Sequence, residues 1–220
     1  MSPQSAPWDR WREVGERVFV RRHKTLDLNA GLVLGDDRCL VIDTRGSERE
    51  GAELLRAVRS ITHLPYVVAI THAHFDHCFG TATFAGRQPG CEIWAHQKCL
   101  DELAASGAEQ RASISTWLRD SGELELADEV ETVRLELPNR TMTDDVTIDL
   151  GGRSVLLHHP GRGHTDHDLI AEVPMPGSPS SAIWSSREHR RRSTTPSRWS
   201  GRPPWTGSWT AAGRDRAGPR

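Results

Sequence analysis

Hydrophobic and polar positions change their period several times along this chain, and each change marks an element. Residues 17–22 ("RVFVRR"), 26–34 ("LDLNAGLVL") and 39–44 ("CLVIDT") alternate or run apolar, with the turn residues "GDDR" at 35–38, so they read as strands. "GSERE" then opens a helix, with Ser47 and Glu50 spaced as a capping box. Leu54, Leu55, Val58 and Ile61 form its apolar stripe, and Pro65 closes the segment. "YVVAI" at 66–70 is apolar throughout, the pattern of a strand covered on both faces. "EIWA" at 92–95 is a further strand, and 97–119 reads as helical with a break at Gly107. Residues 145–173 read as strand, Gly-Gly turn, strand, loop and strand. Strands that alternate with helices and then continue as strands predict an α/β fold, its sheets covered by helices.

After Pro174 neither a period of 2 nor one of 3.6 is evident, and composition changes with it. Residues 171–220 hold nine Arg, no Lys and three acidic residues, together with seven of the 13 Pro and four of the eight Trp. The expected organisation is an extension over 1–13, a folded domain over 14–173, and a basic tail over 174–220 without regular structure. The whole chain carries a formal charge of −2 over 220 residues, so no global charge favours nucleic acid or membrane. No apolar leader or membrane-length run occurs, which predicts a cytoplasmic protein. Cys39, Cys78, Cys91 and Cys99 lack metal-type CxxC spacing and read as reduced thiols.

The polar exception inside the apolar pattern is "THAHFDH" at 71–77. It follows a buried strand directly, at the strand end where α/β proteins build sites. In an extended turn His72 and His74 point the same way, so two imidazoles can share one ion. Asp76 and His77 lie past the bend and can reach a second ion, roughly 3.5–4 Å from the first in two-metal sites. Imidazole with carboxylate suits zinc, then manganese or iron. His23, His63, His96, His158 and His189 read as packed or surface residues, and Trp117 as either the wall of a helical lid over 104–130 or a core residue.

"THAHFDH" resembles the T-H-x-H-x-D-H signature of the metallo-β-lactamase superfamily. "LVIDT" before the first helix and "GRGHTDHD" at 161–168 resemble its Asp-ending strand and its G-H-T segment. The resemblance implies an αββα sandwich with zinc at the edge between two sheets. It places His72, His74 and His164 on the first ion and Asp76 and His77 on the second, and leaves His167 unassigned. It implies a hydrolase in which zinc makes hydroxide at neutral pH and Asp76 orients the nucleophile. The substrate would be a small molecule with a lactam, lactone or thioester carbonyl. The rival reading is an inactive remnant holding at most one ion.

The family pattern wants two further ligands: an Asp after an apolar strand and a Gly, and a late His. Neither Asp166, Asp168, Asp215, His167 nor His189 has that context. The second metal site and the second sheet are therefore expected to be incomplete, with one zinc here against two in an intact relative. Read one base out of phase, permitted codons from Pro174 onward give Asp-Ala-Gly-Val-Ala-Val-Phe-Gly-Asp, an apolar strand followed by Gly-Asp. A one-base slip near Pro174 accounts for the tail on that reading. A natural Arg- and Trp-containing extension that touches RNA or an acidic partner is the other.

Overall fold

The computed structural model describes residues 9–174, 181–188 and 205–212. The first sheet has seven strands in sequence order: β1 (Trp11–Gly15), β2 (Val18–Arg22), β3 (Asn29–Leu34), β4 (Cys39–Ile42), β5 (Tyr66–Ala69), β6 (Ile93–His96) and β7 (Arg140–Met142). Pairing is antiparallel from β1 to β4 and parallel from β4 to β7. The helices are α1 (Glu48–Arg59), α2 (Phe75–Cys78), α3 (Thr81–Arg87), α4 (Gln97–Asp120) and α5 (Leu124–Thr132). The second sheet is antiparallel, in the order β12 (Trp205–Ala212), β11 (Ser181–Glu188), β10 (Ile170–Pro174), β9 (Ser154–His158), β8 (Val146–Asp149).

Two apolar layers follow from the strand alternation. Leu32, Val41, Val68 and Ile93 face the helices and pack with Leu54, Val58, Phe84, Leu103, Leu118 and Val130. Val33, Leu40, Ile42 and Val67 point the other way and meet Ile148, Val155, Leu157, Ala171 and Trp184 of the second sheet. Every central strand of the first sheet is thus buried on both faces, as its uniformly apolar sequence requires. Helix, sheet and sheet are three layers of the αββα sandwich. Among the described residues all five helices lie on the first sheet, and none of those helices is long and apolar enough to cross a membrane.

Several expectations are corrected. The sequence predicts no regular structure after Pro174. Ser181–Glu188 and Trp205–Ala212 nonetheless pair in register as β11 and β12. The one-base slip and the rest of the tail, with His189 and Asp215, lie outside the described residues. The N-terminal extension runs into β1, which pairs with β2. Gly107 does not break α4, which runs from Gln97 to Asp120; it is buried, and a Cβ there would come 3.1 Å from Leu135 Cδ1. Ile61 falls past the end of α1 and is 39% exposed. Trp117 is partly buried and packs against the helix–sheet core. The capping box is half formed. Ser47 Oγ accepts the Glu50 N–H at 3.1 Å, but Glu50 Oε2 accepts from Gly46, one residue early, at 3.2 Å.

Candidate metal centre

Asp43, Thr71 and His96 stand at the carboxyl ends of β4, β5 and β6 or just past them, where parallel strands open a crevice. The segment 71–77 leaves β5, turns at His74 and enters α2. The loop between β9 and β10 arrives from the second sheet, and the Leu169 N–H donates to Thr71 O at 2.8 Å. Two loops from two sheets are therefore fastened together at one edge.

His72, His74 and His164 converge there. His72 Nε2 and His164 Nε2 each lie 3.0 Å from His74 Nδ1. Their candidate ligand atoms all fall within 4.8 Å of one another. One imidazole nitrogen carries a single lone pair or a single hydrogen, so His74 Nδ1 cannot make a linear hydrogen bond to both neighbours. Three inward lone pairs around one centre are what a cation fills. Burial, with the neighbouring imidazoles His77, His74 and His164 adding to it, pushes His72 well below the ordinary histidine range. Burial first, then His164 and His77, brings His74 down to about 3. Both rings are neutral at pH 7 and need shed no proton to bind a metal.

Asp43 organises the ring behind them. It is fully buried, at a left-handed φ of 64° that costs a non-glycine residue of order 1 kcal/mol or more. Its Oδ1 accepts the Thr71 N–H at 2.8 Å, and the Thr71 hydroxyl lies 2.9–3.0 Å from both oxygens. Thr71 Oγ1 in turn sits 3.0 Å from His72 Nδ1. With the hydroxyl proton given to Asp43, His72 donates from Nδ1 and keeps its Nε2 lone pair toward the centre. Asp43 Oδ2 is 2.7 Å from His77 Nδ1, which fixes that ring too. Burial opposes a charge on His77, but Asp43 and Asp76 outweigh it and push the imidazole up to about 9.

Asp76 is 1% exposed, and neither of its oxygens has a hydrogen-bond partner among the described residues. His77 Nε2 is likewise unpartnered and lies 3.6 Å from Asp76 Oδ2, too far for a hydrogen bond. Burial raises the Asp76 carboxyl above its usual range, with His77 pulling the other way. A buried carboxylate and a buried imidazole with unspent atoms side by side fit a second cation. Among the described residues no third His, Cys, Asp or Glu completes a group with this pair.

The sequence reading brought forward five residues, His72, His74, Asp76, His77 and His164. The structure gathers the three imidazoles 72, 74 and 164 and sets Asp76 and His77 beside them. Asp43 was noted only as a strand end, and Thr71 only as part of the signature. The Asp43 carboxylate reaches 28 and 34 residues along the chain, which no local pattern reveals. His167, left unassigned, has its Nε2 taken up by the Ala73 N–H at 3.1 Å and so does not face the triad. His96 caps α4 by accepting the Lys98 N–H at Nδ1, a structural role.

Comparison with solved structures points the same way for the fold. FEZ-1 metallo-beta-lactamase from Legionella gormanii aligns with a TM-score of 0.59 at 14% identity, over 79% of this chain and 62% of that one. A metallo-beta-lactamase motif mutant from Cronobacter sakazakii gives 0.55 at 17%, over 76% and 60%. A metallo-beta-lactamase from Pontibacter korlensis gives 0.53 at 18%, over 74% and 66%. This chain thus spans less than two thirds of the length of those proteins. No curated protein matches it. The sequence model of the metallo-beta-lactamase superfamily matches residues 25–176, well over half the chain, and the chain belongs to that superfamily.

Proposed function

We propose that the chain is a metal-dependent hydrolase, using zinc, that acts on a small molecule with a lactam, lactone or thioester carbonyl. The observation that carries the proposal is the convergence of three imidazoles beside a buried carboxylate with both oxygens unspent. Three nitrogen donors are the protein share of a catalytic zinc site, with room left for water or substrate. A zinc ion held there supplies Lewis acidity, which polarises a carbonyl and brings the pKa of water near neutrality. His72, His74 and His164 would hold the first ion. Asp43, through Thr71, keeps His72 in the tautomer that binds. Asp76 would orient the attacking water and accept its proton. His77 is turned by Asp43 so that Nε2 faces Asp76, and a second ion there would compete with the proton on that nitrogen. Among the described residues Asp76 and His77 find no third ligand, which supports one tightly held ion rather than two. Four buried free thiols support a reducing, cytoplasmic setting.

Calorimetric zinc titration of the metal-free chain tests the proposal together with a lactone, thioester and nitrocefin panel. One tight equivalent is expected, with hydrolysis of at least one substrate. His164→Ala should weaken zinc by more than about 100-fold, because loss of an outer partner alone costs 10–100-fold. No tight zinc, or hydrolysis that survives His164→Ala, overturns the proposal. Two tight equivalents overturn its one-ion form.

A further inference from the structure

The peptide of Ala73 lies between the two imidazoles of the signature and is gripped at both ends. Its N–H donates to His167 Nε2 at 3.1 Å, from the loop of the second sheet. Its C=O accepts from Gln110 Nε2 at 3.0 Å, from α4 on the far side. We infer that His167 and Gln110 form a clamp on Ala73 that sets the spacing of the His72 and His74 imidazoles and docks the loop that carries His164. They are positioning residues, and the inference rests on the metal reading above only in its binding consequence.

The mechanics are local. Rotating the peptide planes on either side of Ala73 swings the neighbouring imidazoles, so holding its N–H and C=O holds both rings. Ala73 is fully buried against the helix–sheet core, which blocks a compensating shift of the chain. His167 is also fully buried. Because its Nε2 accepts, its proton sits on Nδ1, which lies 3.0 Å from Asp166 Oδ1 as donor. Asp166 is held by Lys98 Nζ at 3.0 Å. The loop behind His167 is closed on itself. Thr165 donates to Asp168 from N at 3.0 Å and from Oγ1 at 2.8 Å, and the His167 N–H donates to Thr165 Oγ1 at 3.2 Å. His164 therefore moves with His167 as one piece. The loop meets the other ligand strand at Thr71, through Leu169, and at Ala73, through His167. These are alternate residues flanking His72.

The substitutions separate the clamp from mere bulk. His167→Gln can still present an acceptor to the Ala73 N–H, whereas His167→Ala cannot. Gln110→Glu keeps the shape of Gln110 but loses its donor. In the full metal-free chain, amide exchange at Ala73 should quicken at least tenfold in His167→Ala and return to within threefold of the parent in His167→Gln. With cobalt added, His167→Ala and Gln110→Glu should bind 10–100-fold more weakly, as loss of an outer partner does, and show a changed ligand-field band. His167→Gln should restore both. Unchanged Ala73 exchange in His167→Ala, or an unchanged cobalt affinity and band in both disrupting variants, overturns the clamp. A parent chain that takes no cobalt overturns the metal reading instead, and the exchange of Ala73 still decides the clamp. Should His167→Ala fail to fold, the cobalt affinity and band of Gln110→Glu decide the clamp.

Discussion

His23, the residue after β2, is fully buried, with Nδ1 2.5 Å from Arg45 Nη1 and 3.2 Å from Asp9 Oδ1. Asp9, His23 and Glu53 lie close enough to suggest a second metal cluster. The guanidinium of Arg45 already sits among them, paired with Glu50 and 3.4 Å from Glu53 Oε2, and is the cation of that cluster. An Arg donor requires the His23 nitrogen it meets to carry a lone pair. Burial, aided by Arg45 and Arg21, accordingly brings His23 down to about 2. An imidazole neutral in the fold but protonated when unfolded contributes stability above its ordinary value near 6.5, and that contribution is lost as pH falls toward 2. Metal-free chain denatured by urea should therefore lose about 1.4 kcal/mol on this account between pH 7.5 and 5.5, with His72 and His74 adding in the same direction. His23→Gln should remove that portion of the slope. An identical slope in both chains would show that His23 is charged in the fold. At this scale the site was legible where chemistry is crowded into seven residues. Asp43, Gln110 and His167 were not, because each acts on a residue 28 or more positions away, and spacing along the chain carries no trace of that.

Among the elements, strand cores were legible because their apolar runs exceed anything a loop carries, as in 39–42 and 66–69. β1 and β7 were not. One is half exposed and the other is three residues long, so neither shows an apolar run or a clear alternation. Gly107 reads as a break because glycine disfavours a helix in isolation, while here α4 continues through it with Gly107 on its buried face. The same reasoning separates two substitutions. At Gly107 an added methyl meets the tip of Leu135 Cδ1 at 3.1 Å, a half-buried side chain that can turn aside. Gly107→Ala should stabilise the chain by about 0.5 kcal/mol, the helical gain of ~1 less the cost of that shift. At Gly80, which joins α2 to α3 beneath the metal loop, a Cβ would stand 2.0 Å from Thr44 O and 3.0 Å from Gly51 Cα. Both are backbone and cannot turn aside. Gly80→Ala should cost about 3 kcal/mol or more and disturb the Thr44–His77 contact at 2.7 Å. Urea midpoints of the two variants that moved together would contradict this reading of the helix layer.

At the scale of the molecule, the question is whether the second sheet needs the chain beyond Pro174. Composition argues against a strand there, since proline and arginine dominate and four residues of alternation are too few to register against them. In the structure that short run suffices. Ala182 and Trp184 are buried while Ser181 and Ile183 are half exposed, and β11 pairs with β10 over five residues. Trp184 is fully buried and joins Val155, Leu157 and Ala171 in the layer between the sheets. That layer backs the strands from which the His164 loop departs, so its integrity bears on the metal edge. The two accounts of the tail then part at one side chain. If β11 belongs to the native sheet, Trp184→Ala empties a large volume from the inter-sheet core and should cost about 3–5 kcal/mol. Zinc affinity should fall with it, because the β9–β10 loop loses its footing. If residues past Pro174 are translated out of frame and do not fold onto the domain, the same substitution should leave the urea midpoint where it was, within about 0.5 kcal/mol. Gene sequence through codons 170–185, read beside the Trp184→Ala midpoint, tells a repaired sheet from one built by the tail as it stands. An intact frame with an unmoved midpoint would remove β11 from the fold.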